Sequence, residues 1–357
     1  MCEKIVTRKN RFCRHTYIKH NSSGTEMVSK ATTVAWWIAL ALLILILWKW
    51  YWRLQMHFNS TSLALYTPDT FPLIEEGRAN YEHLIQLGRK HAAESTLVIC
   101  GLLRDAAKNL PNIQRKVEKL GATFKDYRVL IVENDSTDGT REKLLQWHTR
   151  NPRVNVLGCG VNVKECRMSF SKTEGHGVDR RRIDKMIHIR NIYLDEVRRN
   201  YPSYDYTIVW DLDIIGSVYL DGVYNSMGYL AKDLSSLKVC AMTANGMYRW
   251  GILTLYYDTY ALLQHEEGFD INYKTASDVR KGLGFRYVRG QSPVNVRSAF
   301  GGFSIYRTRS LLDTHIDYAQ SLDDGENILC EHTNLCKKLK GEIYVNPSMI
   351  HYVLLNE

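Results

Sequence analysis

Short apolar segments alternate with helical segments along the central part of the chain, and this order restricts the fold more than any other feature. The segment "TLVICGL", which starts at Thr96, is apolar and β-prone, and "YRVLIVEN" and "YTIVW" repeat the pattern. The segments "AAKNLPNIQRKVEKLGA" and "STDGTREKLLQWHTR" have the composition and spacing of helices. Strands that alternate with helices predict an α/β fold with a Rossmann-like, mostly parallel sheet and flanking helices.

Two carboxylates follow the last of these strands. Asp211 and Asp213 come directly after "YTIVW", at the edge where parallel sheets bind their ligands. Two acids at positions i and i+2 can reach one divalent cation, which offsets their repulsion and bridges them to phosphate oxygens. The alternative is a pair of exposed turn aspartates, but an unpaired carboxylate close to a core is costly. We therefore favour a metal and diphosphate site.

Polar residues also follow the first two strands. Arg104 and Asp105 come after "TLVICGL", and Glu133 ends the second strand. An acid at that position can accept hydrogen bonds from a base or a ribose. Helix capping is the alternative for this cluster, and it accounts for Ser136 and Asp138 but leaves Glu133 without a role.

The predicted helix from Arg180 to Asn200 carries an arginine on its apolar face. Ile183, Ile187 and Leu194 recur at helical spacing, and Arg190 lies on the same stripe. A guanidinium there needs a carboxylate or a phosphate, and an ion pair with a core acid is as consistent with the pattern as phosphate binding. The three arginines that begin this helix are expected to be solvated.

Two segments near the C-terminus contain histidines in apolar surroundings. "ILCEHTNLCKKL" places Glu331 and His332 in a helix-like segment, and "IYVNPSMIHYV" places His351 in a β-prone one. A histidine in such a strand is typical of a satisfied core residue, although its position after an aspartate pair also fits a metal ligand. The Gly-Gly pair in "SAFGGFSIYR" fits either a close backbone approach to a ligand or an ordinary bulge.

An apolar segment near the N-terminus is long enough to cross a bilayer. The 18 residues from Ala31 to Trp48 carry no charge, and Trp and Tyr residues lie near both ends. A buried core helix and a cleaved signal peptide are the alternatives, and the second is weakened by the 30-residue polar lead. Residues 1–53 contain nine Lys and Arg against two Glu, which accounts for seven of the nine net positive charges.

This charge distribution predicts both topology and partners. The positive-inside rule keeps the N-terminus in the cytosol and sends the remainder to the lumen of the Golgi or endoplasmic reticulum, which is a type II topology. Because the remaining chain is nearly neutral, we do not expect it to bind nucleic acid.

The predicted organisation is a cytosolic tail at 1–30, a transmembrane signal anchor at 31–52, a stem with a helix at 53–94, and a lumenal catalytic domain at 95–357. An oxidising lumen would allow up to three disulfides among the cysteines on that side, and the sequence does not decide their pairing. These cysteines are Cys100, Cys159, Cys166, Cys240, Cys330 and Cys336.

The order of several segments resembles one family of enzymes. "VLIVENDSTDGT", "IHIRNIYL", "YDYTIVWDLDI", "LYYDTYAL", "CEHTNLCKKL" and "YVNPSMIHYV" are similar to segments of the fungal capsule-associated α-1,3-mannosyltransferases, family 69 of the glycosyltransferases. The chain also shares the general features of the GT-A fold. The resemblance covers residues 95–353, and it implies a GT-A-type domain in a type II protein of the secretory pathway.

The resemblance further implies a metal-bound donor. Asp213 and Asp211 would hold Mn²⁺ or Mg²⁺ on the diphosphate of a nucleotide sugar, and His351 would be a third metal ligand. The donor is expected to be GDP-mannose or a UDP-sugar. The clean Asp-Leu-Asp triplet supports metal dependence better than it supports any one sugar.

Roles for five other residues also follow from the resemblance. Glu133 would lie near the nucleoside, and Arg104 and Arg190 near its phosphates. Asp258, in "YYDTYAL", and Glu331 would lie on the side of the glycan acceptor. Transfer with retention of configuration is favoured, in which case the leaving phosphate can take the acceptor proton. Inversion would instead require a carboxylate base such as Glu331.

Two other functions remain compatible with such a fold. The first is a catalytically silent GT-A-like subunit that binds glycan or acts as a scaffold in a glycosylation complex, but such a subunit has no need of the costly acids Asp211, Asp213 and Glu133. The second is a phosphotransferase or nucleotidylyltransferase, which would be expected to have a glycine-rich loop after the first strand, whereas "CGLLRDAAKN" has one glycine. The oligomeric state is left open.

Overall fold

Ten strands form one sheet in the computed structural model, which describes residues 23–62, 71–158, 180–250, 253–265, 287–320 and 328–354. The strands are β1 (Thr96–Leu103), β2 (Asp126–Glu133), β3 (Val154–Leu157), β4 (Tyr206–Trp210), β5 (Ile215–Val218), β6 (Val239–Trp250), β7 (Leu253–Tyr256), β8 (Val294–Val296), β9 (Phe303–Arg307) and β10 (Glu342–Leu354). The helices are α1 (Ser23–Ser62), α2 (Arg78–Glu94), α3 (Leu110–Gly121), α4 (Thr140–Arg150), α5 (Arg180–Asn200), α6 (Leu220–Lys232) and α7 (Glu331–Lys338).

The strand order is β3-β2-β1-β4-β9-β6-β10-β5, with β7 paired to β6 and β8 paired to β10. The first four strands in this order are parallel neighbours, as are β6 and β10. Strand β9 lies antiparallel between β4 and β6, and β5, β7 and β8 are also antiparallel to their neighbours. Six of these ten described strands therefore run in one direction, and the predicted α/β class with a mostly parallel sheet is confirmed.

Helices cover both faces of the parallel strands, which explains why those strands are apolar without alternation. On one face, α3 packs Ile113, Val117 and Leu120 into the core, where each is at most 1% exposed. On the other face, α5 contributes Ile189 and Leu194. Truncating one of these leucine or isoleucine side chains to Ala would cost about 2–5 kcal/mol of stability.

Helix α2, which the sequence assigned to the stem, packs against α6. A Cβ at Gly88 would lie 1.7 Å from the carbonyl oxygen of Tyr224, and one at Gly228 would lie 2.2 Å from that of Leu84. The two helix backbones therefore touch where both helices have glycine. This close contact makes α2 a part of the folded unit that follows residue 54.

Helix α1 contains the apolar segment. Its residues Ala31–Tyr51 form a span of 21 residues with a mean hydropathy of 2.2, and none of the most apolar part is buried. Apolar side chains of this helix, such as Trp36 at 76% exposed, are not packed against a protein core in this part of the chain. Lipid would remove them from water, so the helix suits a membrane anchor.

None of the possible disulfides is formed by the four cysteines that the structure describes. Cys100, Cys240, Cys330 and Cys336 are buried free thiols. Cys100, for example, is enclosed at the centre of β1, where burial raises the pKa of its thiol. Such a thiol packs as a small apolar side chain. Cys159 and Cys166 lie outside the described residues.

Candidate active site

A cleft of about 400 Å³ opens at the carboxyl ends of β1, β2 and β4. The three strands end together because they are parallel and in register, with Leu103 opposite Glu133 and Gly101 opposite Trp210. Helices α5 and α7 and the segment after β7 complete the walls. The polar residues that line the cleft are Arg104, Asn134, Arg182, Lys185, Arg190, Asp211, Asp213, Tyr257, Asp258, Tyr260, Glu331 and His332.

The aspartate pair lies where the sequence predicted it, at the end of β4 and on the wall of the cleft. The backbone N–H of Asp211 donates to the carbonyl oxygen of Gly302 at 3.0 Å, so the turn after β4 is tied to the loop before β9. The Asp211 side chain is 20% exposed, and Asp213 is exposed. Burial raises the pKa of Asp211 to about 6, with Arg190 acting in the opposite direction and Asp213 in the same direction.

Arg190 connects two acids across the cleft. Its Nη2 donates to Oδ1 of Asp211 at 3.1 Å, and its Nε donates to Oε1 of Glu331 at 3.0 Å. The guanidinium lies 5.4 Å from the ring centroid of Phe300 and is almost fully buried. The sequence left either a carboxylate or a phosphate as the partner of Arg190, and in the structure its partners are two carboxylates. Arg190 therefore links the turn after β4 to the start of α7 through two charge-assisted hydrogen bonds.

Two further acids face the same space. Glu331 is the first residue of α7, and Asp258 follows β7 with a φ of 67°. Left-handed backbone is unfavourable for a residue other than Gly and is often found at functional sites. The pKa of Asp258 is raised well above its ordinary value, first by burial and then by the nearby carboxylates of Asp211 and Glu331. Burial and these two acids therefore favour the protonated form of Asp258 more than solvent does for an exposed aspartate.

Glu133 lies in the core at the end of β2 and does not line the cleft. Its Oε1 accepts a hydrogen bond from the N–H of Ser136 at 2.9 Å, and its Oε2 pairs with the buried Arg141 at 3.2 Å. These contacts hold the loop between β2 and α4 against its helix. The next residue, Asn134, lines the cleft, whereas Glu133 does not.

Arg104 lies on the rim of the cleft, with 29% of its side chain exposed and its Nε 3.6 Å from Asp105. The carboxylate of Asp105 accepts a hydrogen bond from the N–H of Thr137 at 2.7 Å. Asp138, predicted as a cap, accepts from the N–H of Thr140 at 3.0 Å and from that of Ala107 at 2.9 Å. The loops after β1 and β2 are thus cross-linked, which fixes the rim on which Arg104 lies.

His351 is buried in β10 and does not line the cleft. Its Nδ1 lies 2.9 Å from the carbonyl oxygen of Gly301, and a Cβ at Gly302 would come within 2.6 Å of the same nitrogen. Burial lowers the pKa of His351 to about 4, so the ring is neutral at pH 7. The glycine pair, both at positive φ, lets the loop that binds Asp211 pack directly on this imidazole.

A family model described as cryptococcal mannosyltransferase 1 matches residues 96–338 of the chain. That range includes β1, the aspartate pair, Arg190 and the whole of α7. The chain belongs to the cryptococcal mannosyltransferase 1 family. The predicted resemblance to the capsule-associated mannosyltransferases is therefore confirmed. No curated protein sequence matches the chain.

Several solved structures are also similar to this family member. S. aureus TarS 1-349 in complex with UDP-GlcNAc has 13% identity and a TM-score of 0.41, over 73% of this chain and 59% of that one. The mannosyltransferase PcManGT from Pyrobaculum calidifontis in complex with GDP-Man and Mn²⁺ has 11% identity and a TM-score of 0.39, over 79% and 68%. GalNAc-T7 with UDP, GalNAc and Mn²⁺ has 12% identity and a TM-score of 0.42, over 80% and 54%.

The chain spans about 60% of the length of the TarS structures it matches. All of these TM-scores lie below 0.5, so the similarities indicate nothing about the site of this mannosyltransferase family member.

The acids of the cleft are compatible with a cation that is shared with a ligand. Among the residues that the structure describes, no group of three or more His, Cys, Asp or Glu side chains is arranged to hold a metal ion. Mg²⁺ in particular is usually held by one or two carboxylates together with substrate phosphates. Asp211 and Asp213 supply such a pair of hard oxygen ligands. The residues therefore fit a metal that arrives with a diphosphate, and they do not fit a closed, all-protein site.

Sequence reasoning missed part of the cationic wall of the cleft. Arg182 was expected to be solvated together with Arg180 and Arg181, yet Arg182 and Lys185 line the cleft while the other two are exposed. Arg182 precedes Arg190 by eight residues, which places the two on one face of α5. That spacing was the signal that could have identified it.

Proposed function

We propose that this protein is a metal-dependent glycosyltransferase. It moves a hexose, with mannose favoured, from a nucleotide-sugar donor to a hydroxyl of a glycan acceptor. The observation that carries the proposal is the pair Asp211 and Asp213, which lies at the carboxyl end of a buried parallel strand and faces a cleft of about 400 Å³. Membership of a mannosyltransferase family supports mannose as the transferred sugar.

The charges of the cleft suit a diphosphate on the side of the aspartate pair. Asp211 and Asp213 would hold Mn²⁺ or Mg²⁺, and Arg104, Arg182 and Lys185 line the same cleft as cations. GDP-mannose and UDP-sugars both carry such a diphosphate. Glu133 is proposed to act near the nucleoside through the loop that it fixes, and His351 to act on the metal side through the glycine loop that packs on it.

The bound cation would stabilise the negative charge that grows on the leaving diphosphate as the sugar–phosphate bond breaks. The residues of the chain supply the rest. Arg190 is already ion-paired with Asp211, so it keeps this carboxylate oriented towards the ligand and adds positive charge nearby. Preorganised charges of this kind are worth about 10²- to 10³-fold in rate each.

Glu331 and Asp258 are proposed to bind the acceptor. Oε1 of Glu331 accepts a hydrogen bond from Nε of Arg190 at 3.0 Å, so one oxygen of this carboxylate is already engaged. The Asp258 carboxyl lines the same cleft and can hydrogen-bond a sugar hydroxyl. Action of Glu331 as a base would compete with its contact to Arg190. A retaining reaction, in which the leaving phosphate takes that proton, is compatible with this arrangement.

The apolar helix α1 is proposed to anchor the enzyme in the membrane of the Golgi or endoplasmic reticulum. Its exposed span of 21 apolar residues and the excess of Lys and Arg before it support a type II topology with a lumenal catalytic domain.

The test is to incubate the full-length protein in detergent with labelled GDP-mannose and a panel of UDP-sugars, with Mn²⁺ and with a chelator. We expect metal-dependent release of nucleoside diphosphate from one donor. An Asp211→Asn, Asp213→Asn double variant is the matched control for contaminating activity. The absence of turnover with every donor, together with intact glycan binding, would instead identify a silent scaffold subunit.

A further inference from the structure

His332 is a buried histidine on the wall of the cleft whose two ring nitrogens have no hydrogen-bond partner among the described residues. It is the second residue of α7 and is 2% exposed. A buried polar group without a partner lowers stability, and in a native structure it needs an explanation. A ligand in the adjoining cleft would supply the missing partner.

The imidazole is held rigidly. Its ring stacks on Phe300 with centroids 3.7 Å apart and an angle of 13° between the planes, and the edge of Tyr318 packs on it with a centroid distance of 5.5 Å. Phe300 lines the cleft beside it. These two ring contacts restrict the orientations that the imidazole can adopt.

The surroundings select the chemistry of the ligand. Nε2 of His332 lies 3.9 Å from Oε1 of Glu331, and this carboxylate disfavours an anion such as phosphate at that position. Burial and then Arg190 hold the pKa of His332 well below its ordinary value, so the ring is neutral. A neutral imidazole has one N–H donor and one nitrogen acceptor, and a sugar hydroxyl both accepts and donates.

The position of His332 distinguishes acceptor from donor. Arg190 bonds Asp211 with one nitrogen and Glu331 with another, and His332 follows Glu331 directly. His332 therefore adjoins Glu331, which is proposed to bind the acceptor, and it is not one of the residues proposed to hold the diphosphate. We propose that His332 binds a hydroxyl of the acceptor sugar and so contributes to acceptor specificity. This inference rests on the proposed function, because it assigns the acceptor subsite of that same cleft.

The test uses the full-length protein in detergent, with GDP-mannose as donor and methyl α-mannoside as the acceptor probe. His332→Phe keeps the stacking on Phe300 and removes both nitrogens, and His332→Gln restores one donor and one acceptor. We expect His332→Phe to raise the KM for the mannoside about tenfold and to leave the KM for GDP-mannose unchanged. His332→Gln should recover part of the loss. His315→Phe, at an exposed histidine outside the cleft, is the control.

A second readout does not depend on turnover. Saturation-transfer NMR with the mannoside alone should give weaker binding to His332→Phe than to the wild type. With a series of monodeoxy mannosides, the analogue that lacks the bound hydroxyl should bind the two proteins equally, as in a double-mutant cycle.

The outcomes separate this inference from the proposed function. If the wild type turns over GDP-mannose but His332→Phe binds and uses the mannoside normally, water alone satisfies the ring and the inference is wrong. A rise in the KM for GDP-mannose would also overturn the inference, because His332 would then contact the donor. The absence of mannoside binding by the wild type would overturn it as well. If no donor is turned over but mannoside binding still requires His332, the proposed function fails and the sugar site stands.

Discussion

Nη2 of Arg190 donates a hydrogen bond to Oδ1 of Asp211 at 3.1 Å, from a guanidinium that is almost completely buried. A carboxylate held in this way has a fixed orientation before any ligand arrives. The same guanidinium also holds Glu331 at 3.0 Å, so the proposed donor and acceptor sides of the cleft share one cation. The function of the cleft and its stability therefore depend on the same side chain.

Replacement of Arg190 by Lys should destabilise the protein. A lysine cannot reproduce the two directed contacts to Asp211 and Glu331, so at least one buried carboxylate would lose its partner. We expect the free energy of unfolding to fall by about 3–5 kcal/mol in urea denaturation. Arg153→Lys, at an ion pair that is half exposed, should change it by less than about 1 kcal/mol. Equal effects of the two variants would contradict this assignment.

Removal of the Asp213 charge should abolish most activity without loss of stability. Asp213→Asn keeps the shape of the side chain but weakens the ligation of a divalent cation. We expect kcat/KM for the donor to fall by about 10²- to 10³-fold. Asp195→Asn, at an exposed acid on α5 paired with Arg198, should have no effect. Unchanged donor turnover in the Asp213 variant would remove the basis of the metal site.

Donor turnover should fall at acidic pH. Because burial raises the pKa of Asp211 to about 6, the carboxylate becomes protonated, and unable to bind a cation, as the pH drops through that value. Measured as kcat/KM for the donor, activity should be nearly constant above pH 7 and decrease about tenfold per unit below pH 6. Tryptophan fluorescence over the same range checks that the protein stays folded. A profile that is flat to pH 4.5 would refute this role of Asp211.

The configuration at the transferred sugar should be retained. A retaining reaction needs no protein base, and Glu331, which is engaged by Arg190, would only position the acceptor. Glu331→Gln should therefore lower the transfer rate by about tenfold rather than by the 10²- to 10⁴-fold expected for loss of a general base. Proton NMR of the product gives the anomeric configuration directly. An inverted product together with a loss above 10²-fold would make Glu331 the base.

Lys116 should produce a rise in stability at alkaline pH. This lysine is buried beside Trp210, and its Nζ donates to the carbonyl oxygen of Gly216 at 2.7 Å. Burial lowers its pKa to about 8, so between pH 8 and 10.5 the unfolded chain binds more protons than the folded one, and stability increases with pH. We expect a gain of up to about 3 kcal/mol over this range.

Lys116→Met provides the comparison, since it removes the titrating group while tyrosines and other groups titrate as before. The difference in the free energy of unfolding between the two proteins should change with pH only above about 8. Parallel pH profiles would show that the folded-state pKa of Lys116 is not lowered.

The sequence predicted most of the sheet because its parallel half is made of local patterns. The apolar runs of β1, β2 and β4 and the helical spacing of Ile113, Val117 and Leu120 each follow from neighbouring residues. It did not predict that β9 would lie antiparallel between β4 and β6. Such pairings join segments about 60 to 100 residues apart, and no local pattern encodes them.

For the site, the sequence by itself determined that Asp211 and Asp213 end a buried strand, and that Arg190 belongs to an apolar helix face. Only the tertiary structure decided which groups these residues meet. In the folded protein Glu133 forms an ion pair with Arg141, and His351 packs beneath the glycine loop. The ring of His332 lines the cleft. The reason is physical: strand ends and helix faces follow from the period of the chain, whereas the partner of a charge is set by how distant elements pack.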